Sequence, residues 1–231
     1  MMVNYEGKHV VITGASGGMG RLLCRALASE GAKLSMCSND EAVTDLAKEL
    51  SCDAFAKTVD VTSEAQVKAF FAEAFSKHGE IYALANLAGL SIPSQIPEME
   101  EGAFDLMMDV NVKGTFLCCK HFAQSAADPA IIVNIGSMAA RNANGNAPIY
   151  CTAKAAVNML SKGLRMQVGS KNIRVTTVNP GGADTPFWGT RAVDRTKLMG
   201  AEDVVEIILF VLKSNPSVQI HDIFFESALK F

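Results

Sequence analysis

Tyr150 and Lys154 stand four residues apart in a stretch whose apolar spacing predicts a helix. Side chains at i and i+4 share a helix face, so phenol and ammonium project together. Such a pair can do acid–base chemistry. A free phenol titrates near 10 and is a poor base at neutrality. Bringing it into range takes roughly 3–4 kcal/mol. One ammonium about 4 Å away, at an effective dielectric near 20, supplies about 4 kcal/mol. Ser137 lies thirteen residues before Tyr150, just past a β-branched run, and its hydroxyl can hold a substrate oxygen on which charge develops. Asn111 falls inside another helical stretch, where asparagine is mildly unfavourable and calls for a reason. Each has a plainer reading when taken singly: a chance Y-x-x-x-K, a turn serine, a solvent-facing asparagine.

A glycine-rich turn, Thr13-Gly14-Ala15-Ser16-Gly17-Gly18-Met19-Gly20, separates the first strand-like run from the first helical one. A dinucleotide pyrophosphate needs backbone N–H groups free of side chains at a helix N-terminus, whose dipole favours anions. Gly14 would make the tight turn, Gly18 the close approach and Gly20 the helix–strand contact. Glycines alone also suit a flexible turn; their placement between strand and helix favours the binding reading.

The elements that must position these residues follow from periodicity. Strands are predicted at His9–Thr13, Lys33–Cys37, Ala54–Val59, Ile81–Ala85, Ala130–Ile135, Ile173–Val178 and Val218–Phe225. Helices are predicted at Met19–Leu27, stopped by Gly31, and at Glu41–Leu50, Ser63–Lys77, Phe104–Gln124, Ile149–Val168 and Ala201–Lys213. Ser63 is the expected N-cap of its helix, with Gln66 completing a capping box. Seven strands alternating with six helices predict βαβ units around a parallel sheet. Several strand cores lack polar alternation, as expected where helices cover both faces. The fold class is therefore α/β: a single-domain, Rossmann-type, doubly wound parallel sheet spanning residues 1–231, with two mononucleotide-binding halves meeting near residue 80.

The T-G-x-x-x-G-x-G turn, followed in order by Asn111, Ser137, Tyr150 and Lys154, resembles the short-chain dehydrogenase/reductase family along nearly the whole chain. The resemblance implies hydride transfer between an alcohol or carbonyl substrate and NAD(H) or NADP(H). Tyr150 would exchange the proton with the substrate oxygen and Ser137 would hold that oxygen. Lys154 would hold the nicotinamide ribose and acidify Tyr150, and Asn111 would position a water that passes protons on from Lys154. It also implies cofactor contacts at Gly14, Ser16, Gly18, Met19 and Gly20 and at Ser38 and Asn39. Further contacts are implied at Asp60 and Val61, at Asn86, Ala88 and Gly89, and at Pro180, Gly181, Ala183 and Thr185, besides Tyr150 and Lys154. Asp60 either accepts from the adenine amine or builds the turn before Ser63. Leu87 stands where the family usually has a second asparagine, which puts side-chain bracing of that strand in question. An NAD enzyme of the family usually has an acid where Ser38 lies. An NADP enzyme usually has a basic residue at Asn39 or Gly17. Neither is present, and the choice of cofactor stays open.

By the same resemblance, Gly182 to Gly200 would cover the substrate. Phe187 and Trp188 would form an apolar wall, Met138, Asn144 and Asn146 would add to the pocket, and Arg191 would either hold an anionic group or lie solvated on the surface. The helices Phe104–Gln124 and Ile149–Val168, the second rich in small residues, form an interface in many relatives, so a homodimer or homotetramer is expected.

Composition narrows the classes. Of 231 residues, 49% are hydrophobic and 19% charged, as in ordinary globular proteins, and the net charge of −3 without a basic cluster leaves no footprint for nucleic acid. The N-terminus is too short and polar for a signal peptide, and no apolar run approaches the roughly 20 residues of a bilayer span. The six cysteines form no C-x-x-C pair and the four histidines are scattered, so free thiols in a reducing cytoplasm are expected, and no metal site. Two other functions use the same fold: a non-catalytic NAD(P)-binding sensor or scaffold, and a sugar epimerase or dehydratase. The first has no need of Tyr150 with Lys154, and the second generally has a longer C-terminal region.

Overall fold

The short β-branched runs become strands and the amphipathic stretches between them become helices in the computed structural model, which describes residues 2–230. In chain order these are β1 (His9–Thr13), α1 (Gly18–Ser29), β2 (Lys33–Ser38), α2 (Ala42–Glu49), β3 (Ala54–Thr58), α3 (Glu64–His78) and β4 (Ile81–Asn86). Then come α4 (Glu101–Met108), α5 (Gly114–Ser125), β5 (Ala126–Ile135), α6 (Pro148–Val168), β6 (Ile173–Pro180), α7 (Ala201–Lys213) and β7 (Asp222–Phe225). All seven strands run parallel, in the order β3-β2-β1-β4-β5-β6-β7.

Side-chain alternation along buried strands divides the core in two. Val10 and Ile12 of β1 pack with Leu23 and Leu27 of α1 and with Val204 and Ile208 of α7. Val11, between them, packs with Phe70 and Phe71 of α3 and Phe122 of α5 on the opposite face. Both faces are thus covered, which accounts for strands that read as unbroken apolar runs. Among the described residues, no helix is long and apolar enough to cross a membrane.

Four expectations are corrected. The predicted helix Phe104–Gln124 starts earlier, at Glu101, and is broken by a π-helical turn at Asp109–Lys113, so among the described residues seven α-helices replace six. The extra residue in that turn opens the hydrogen-bond ladder, and Asn111 Nδ2 donates to Met107 O at 2.9 Å. The capping box does not form: the Ser63 side chain makes no cap bond, and Gln66 Oε1 accepts from the Asp60 backbone N–H at 2.9 Å instead. β5 begins at Ala126 rather than Ala130, with Pro129 tolerated where the register against β4 shifts. β7 begins at Asp222 rather than Val218, because the Gln219 side chain takes the adjacent backbone groups. Its Oε1 accepts from Val175 N at 3.3 Å and its Nε2 donates to Val175 O at 2.9 Å.

A buried polar ladder crosses the sheet. Asn86 and Asn134 are register partners in β4 and β5. Asn86 Nδ2 donates to Asn134 Oδ1 at 2.8 Å, and Asn134 Nδ2 donates to Ser161 Oγ of α6 at 2.8 Å. The bracing that Leu87 cannot supply comes from Asn86 itself. Asn134→Ala strips both partners inside a region closed to water, and is expected to cost about 2–4 kcal/mol in urea unfolding. A loss under about 0.5 kcal/mol, the level of an ordinary surface change, would remove the ladder from the account of stability.

Candidate active site

The chain runs outward from β1 to β2 and β3, then returns to β4 on the other side of β1. The loops leaving β1 and β4 therefore diverge, and a crevice opens at the carboxyl ends of the strands. Thr13 ties its two walls together. Its carbonyl accepts from Leu87 N at 3.3 Å and its hydroxyl from Ala88 N at 3.2 Å.

The glycine turn lies on one wall. Gly14 has φ +64°, and a Cβ there would come within 2.7 Å of Ala88 N. At Gly20 a Cβ would fall 2.3 Å from Gly14 O, so only glycine lets α1 start this close to the turn. No side chain caps α1 at Gly17. First-turn N–H groups have no acceptor within a helix, so this end can bind an anion.

Tyr150, Lys154 and Ser137 line a cleft of about 910 Å³, with Met19, Gly89, Pro180, Gly181, Ala183 and Thr185 also on its walls. Ser137 is extended and starts a short turn, its Oγ accepting from Ala139 N at 3.1 Å. Tyr150 is half-buried beside the Ser137 hydroxyl. One helical turn on, the buried Lys154 Nζ donates to Ile135 O at 2.9 Å and stands 5.7 Å from the Tyr150 ring centroid. Asn111 is fully buried, its Nδ2 held by Leu90 O at 2.8 Å as well as by Met107 O. Its Oδ1 has no partner among the described residues. A Cβ on Gly89 would lie 2.8 Å from that Oδ1 and 3.3 Å from Lys154 Nζ, so glycine leaves open the space the two groups share.

The electrostatics differ from the expectation that Lys154 acidifies Tyr150. Burial dominates: it pushes the phenol up to about 12, with the Ser137 hydroxyl pulling the other way. Burial likewise lowers the Lys154 ammonium to about 8.

The remaining expected cofactor residues are spread around the crevice. Ser16 and Ser38 are in hydrogen-bond contact at 2.6 Å, and Asn39 is exposed next to them. Asp60 builds the turn before Ser63, its Oδ1 accepting from both the backbone N–H and the hydroxyl of Thr62. Val61 is buried and packs on Gly114. The Asn86 side chain serves the sheet, while Gly89 lines the cleft and Ala88 packs against the core beneath it. Across the crevice, Thr185 and Pro186 come down on Gly18, where a Cβ would meet Pro186 Cδ at 2.9 Å.

Residues 182–200 roof the cleft. Trp188 Nε1 donates to Ala183 O at 2.7 Å, and an isolated bridge joins Ala183 to Met199. Phe187 lies 5.9 Å from Tyr150 between ring centroids. Met138, Asn144 and Asn146 line the opposite side. Arg191 lines the cleft and is half-exposed. It bonds the carbonyls of Phe187 and Trp188 and lies over both rings, bracing the roof.

Two supporting residues escape the sequence reading. Asn179 Oδ1, wholly buried, accepts from Ser137 N at 3.1 Å, and Ile135 O holds Lys154. Asn179 directly follows the predicted strand Ile173–Val178, at the carboxyl end where the crevice opens, and that position was a signal for the first. A backbone acceptor leaves none.

The short chain dehydrogenase family model matches residues 8–196. An uncharacterized oxidoreductase of Staphylococcus saprophyticus is 30% identical over 229 residues, which cover 96% of this chain and 98% of that relative. A short-chain type dehydrogenase/reductase from Mycobacterium marinum is similar with a TM-score of 0.88 and 27% identity, over 96% of this chain and 95% of its own. A short-chain dehydrogenase/reductase from Serratia marcescens has the same fold, with a TM-score of 0.91 at 23% identity, over 99% of this chain and 100% of its own. With the sheet order, the glycine turn and a family match over most of its length, the chain belongs to the short-chain dehydrogenase family and is an oxidoreductase.

Proposed function

We propose that the protein uses NAD(H) or NADP(H) to interconvert an alcohol and a ketone or aldehyde, with Tyr150 as general acid and base. The observation that carries this reading is the meeting of Tyr150, Ser137 and a buried Lys154 in one cleft at the carboxyl ends of the strands. The glycine turn at Gly14–Gly20, at the uncapped start of α1, suits a pyrophosphate, and the shared space over Gly89 suits a ribose edge or a water. When bound, the nicotinamide supplies or accepts the hydride and, oxidised, adds a positive charge beside the phenol.

The chain's own groups do the rest. Ser137 holds the substrate oxygen near the phenol. Burial keeps Tyr150 protonated at neutral pH, the form that donates to a carbonyl oxygen during reduction. Lys154, its ammonium fixed by Ile135 O, has further N–H donors for ribose hydroxyls. Asn111 Oδ1 then holds a water next to that ammonium, and protons pass along it to and from Tyr150. The roof at residues 182–200 excludes solvent and chooses the substrate, with Phe187 and Trp188 on its apolar side.

The protein is also proposed to work as a homodimer or homotetramer in the cytoplasm. Phe104, Phe116, Met159 and Met166, on α4, α5 and α6, are large apolar side chains left exposed, and the six cysteines are free thiols suited to a reducing compartment.

Tyr150→Phe is expected to lower kcat/KM by about 10²–10⁴-fold on an alcohol and ketone panel followed at the nicotinamide absorbance, while dinucleotide binding persists. Undiminished turnover would falsify the assignment. Dinucleotide binding with no turnover by the unaltered protein would favour a sensor or scaffold.

Lys154→Met is expected to abolish activity yet stabilise the fold at pH 7. The folded lysine at about 8 lies below its ordinary 10.5, so the unfolded chain holds that proton more tightly. Its charge therefore costs stability at every pH below about 8, and the cost fades between about 8 and 10.5. Urea unfolding should show a gain of about 2–3 kcal/mol at pH 7, shrinking towards zero by pH 10.5. A destabilised variant at pH 7 would mean that the Ile135 hydrogen bond outweighs the desolvation.

Light scattering at micromolar concentration should give two or four times the chain mass; a monomer there rules out the assembly.

A further inference from the structure

Two cations of the roof, Arg191 and Lys197, line the cleft, and neither has an ion-pair partner among the described residues. The roof's other charges are spent. Arg195 pairs with Asp184. Asp194 is taken up by the backbone N–H and hydroxyl of Thr196, which outweigh Lys197 in holding its carboxyl acidic. Glu226, also on the cleft wall, is engaged with a partner of its own. Arg191 is the better placed cation. Its Nε donates to Trp188 O at 2.9 Å and its Nη2 to Phe187 O, and the guanidinium lies 4.9 Å and 5.0 Å from the Phe187 and Trp188 ring centroids. These contacts fix a long side chain that would otherwise sample many rotamers. They leave its Nη1 protons without an acceptor among the described residues. Phe187 links this cation to the reacting end, since its ring centroid lies 5.9 Å from that of Tyr150. Burial raises the Tyr150 phenol, and the Arg191 charge is among the influences pulling it back, so the guanidinium is within electrostatic reach of that hydroxyl.

We infer that the substrate is an oxo acid, or the matching hydroxy acid, whose carboxylate is held by Arg191 with Lys197 adding to the field. The inference rests on the proposed alcohol–carbonyl reaction and names its substrate class. Backbone carbonyls orient a guanidinium but leave its full charge, which only an anion cancels. Closing the roof over a neutral ligand would strip water from that charge and give nothing back. A carboxylate there accepts from Nη1 in a charge-assisted bond, to a donor already held in place. The reacting oxygen lies on Tyr150 and Ser137 and the carboxylate on Arg191, so the carbon frame runs along Phe187 and Trp188, the apolar stretch between them. One aromatic ring separates the two polar contacts, and a single small molecule spans both. In reduction the carbonyl carbon takes the hydride supplied by NADH or NADPH and its oxygen takes the Tyr150 proton, while the bonds of the carboxylate are untouched. Because the roof carries the cation, binding the acid also ties the roof to the reacting centre.

The test is steady-state kinetics of the full chain on phenylpyruvate, benzoylpropionate and levulinate, each against its primary amide, which keeps the shape and loses the charge. At least one acid is expected to exceed its amide about 10–100-fold in kcat/KM, the range of one charge-assisted contact in a half-exposed site. Arg191→Gln should cut that ratio by about ten-fold or more, mainly through KM. A slackened roof slows acid and amide alike, so the ratio reports the charge. Lys197→Gln, which breaks no brace, should lower it by about three-fold. Lys171→Gln, removing a cation in the turn before β6, should leave it unchanged. Phenylpropionate, which cannot react, should bind the dinucleotide-loaded protein about ten-fold more tightly than its amide in calorimetry, and Arg191→Gln should abolish the difference. Thermal melts confirm that each variant is folded. Amides as good as acids throughout, turnover confined to neutral ketones and alcohols, or a ratio indifferent to Arg191→Gln overturns the inference and leaves the alcohol–carbonyl reading standing. Failure to turn over any acid, amide, ketone or alcohol removes that reading, and this inference with it.

Discussion

Lys154 places an ammonium group at the end of a parallel sheet, where only 5% of the residue is exposed. Burying such a charge is costly unless its protons have acceptors. The geometry of the site is organised around meeting that demand. Ile135 offers its carbonyl because β5 ends there, beyond the last ladder position shared with β4. Gly89 lacks the side chain that would fill the space next to the ammonium. The π turn at Asp109–Lys113 brings Asn111 to the other side of that space with one oxygen unpaired. A helix break, a glycine and a strand end, far apart in the chain, thus converge on one nitrogen.

The same demand explains why a polar ladder lies under the site rather than apolar packing. Asn86, Asn134 and Ser161 link β4, β5 and α6, and Asn179 holds the backbone of Ser137 from β6. Each is a buried polar group hydrogen-bonded to another, an arrangement that fixes relative positions more sharply than apolar contact does. The phenol and the ammonium ride on α6 while the hydroxyl follows β5, and these bonds set the spacing between the two elements. Above the cleft the roof is held differently, by Arg191 on two carbonyls and two aromatic rings and by Trp188 on Ala183. Those contacts are local to the loop, while Phe187 against Tyr150 and Pro186 against Gly18 seat it on the base.

Much of this was legible along the chain. Strand and helix positions follow from apolar periodicity because both faces of the sheet are covered, and Ala201–Lys213 agrees residue for residue. Tyr150 and Lys154 share a face because helical geometry requires it. The misreadings occur where a side chain replaces a backbone partner. Gln219 takes the place of a strand before β7, and Gln66 serves the Asp60 turn instead of a capping box. Periodicity carries no record of such exchanges. The π turn was hidden for a related reason: one inserted residue leaves the apolar pattern on either side intact, and only the oddity of an asparagine in mid-helix marked it.

By itself, then, the amino-acid order determined the βαβ succession, the glycine turn and the four side chains with the right chemistry, since these depend on local stereochemistry and on spacing within one element. Tertiary structure decided the rest. It set the burial that raises Tyr150 and lowers Lys154, because desolvation depends on what other elements pile around a group. It also gave Arg191 a bracing role and drew Asp40 onto Ser16, because those contacts join segments that meet only once the sheet has formed.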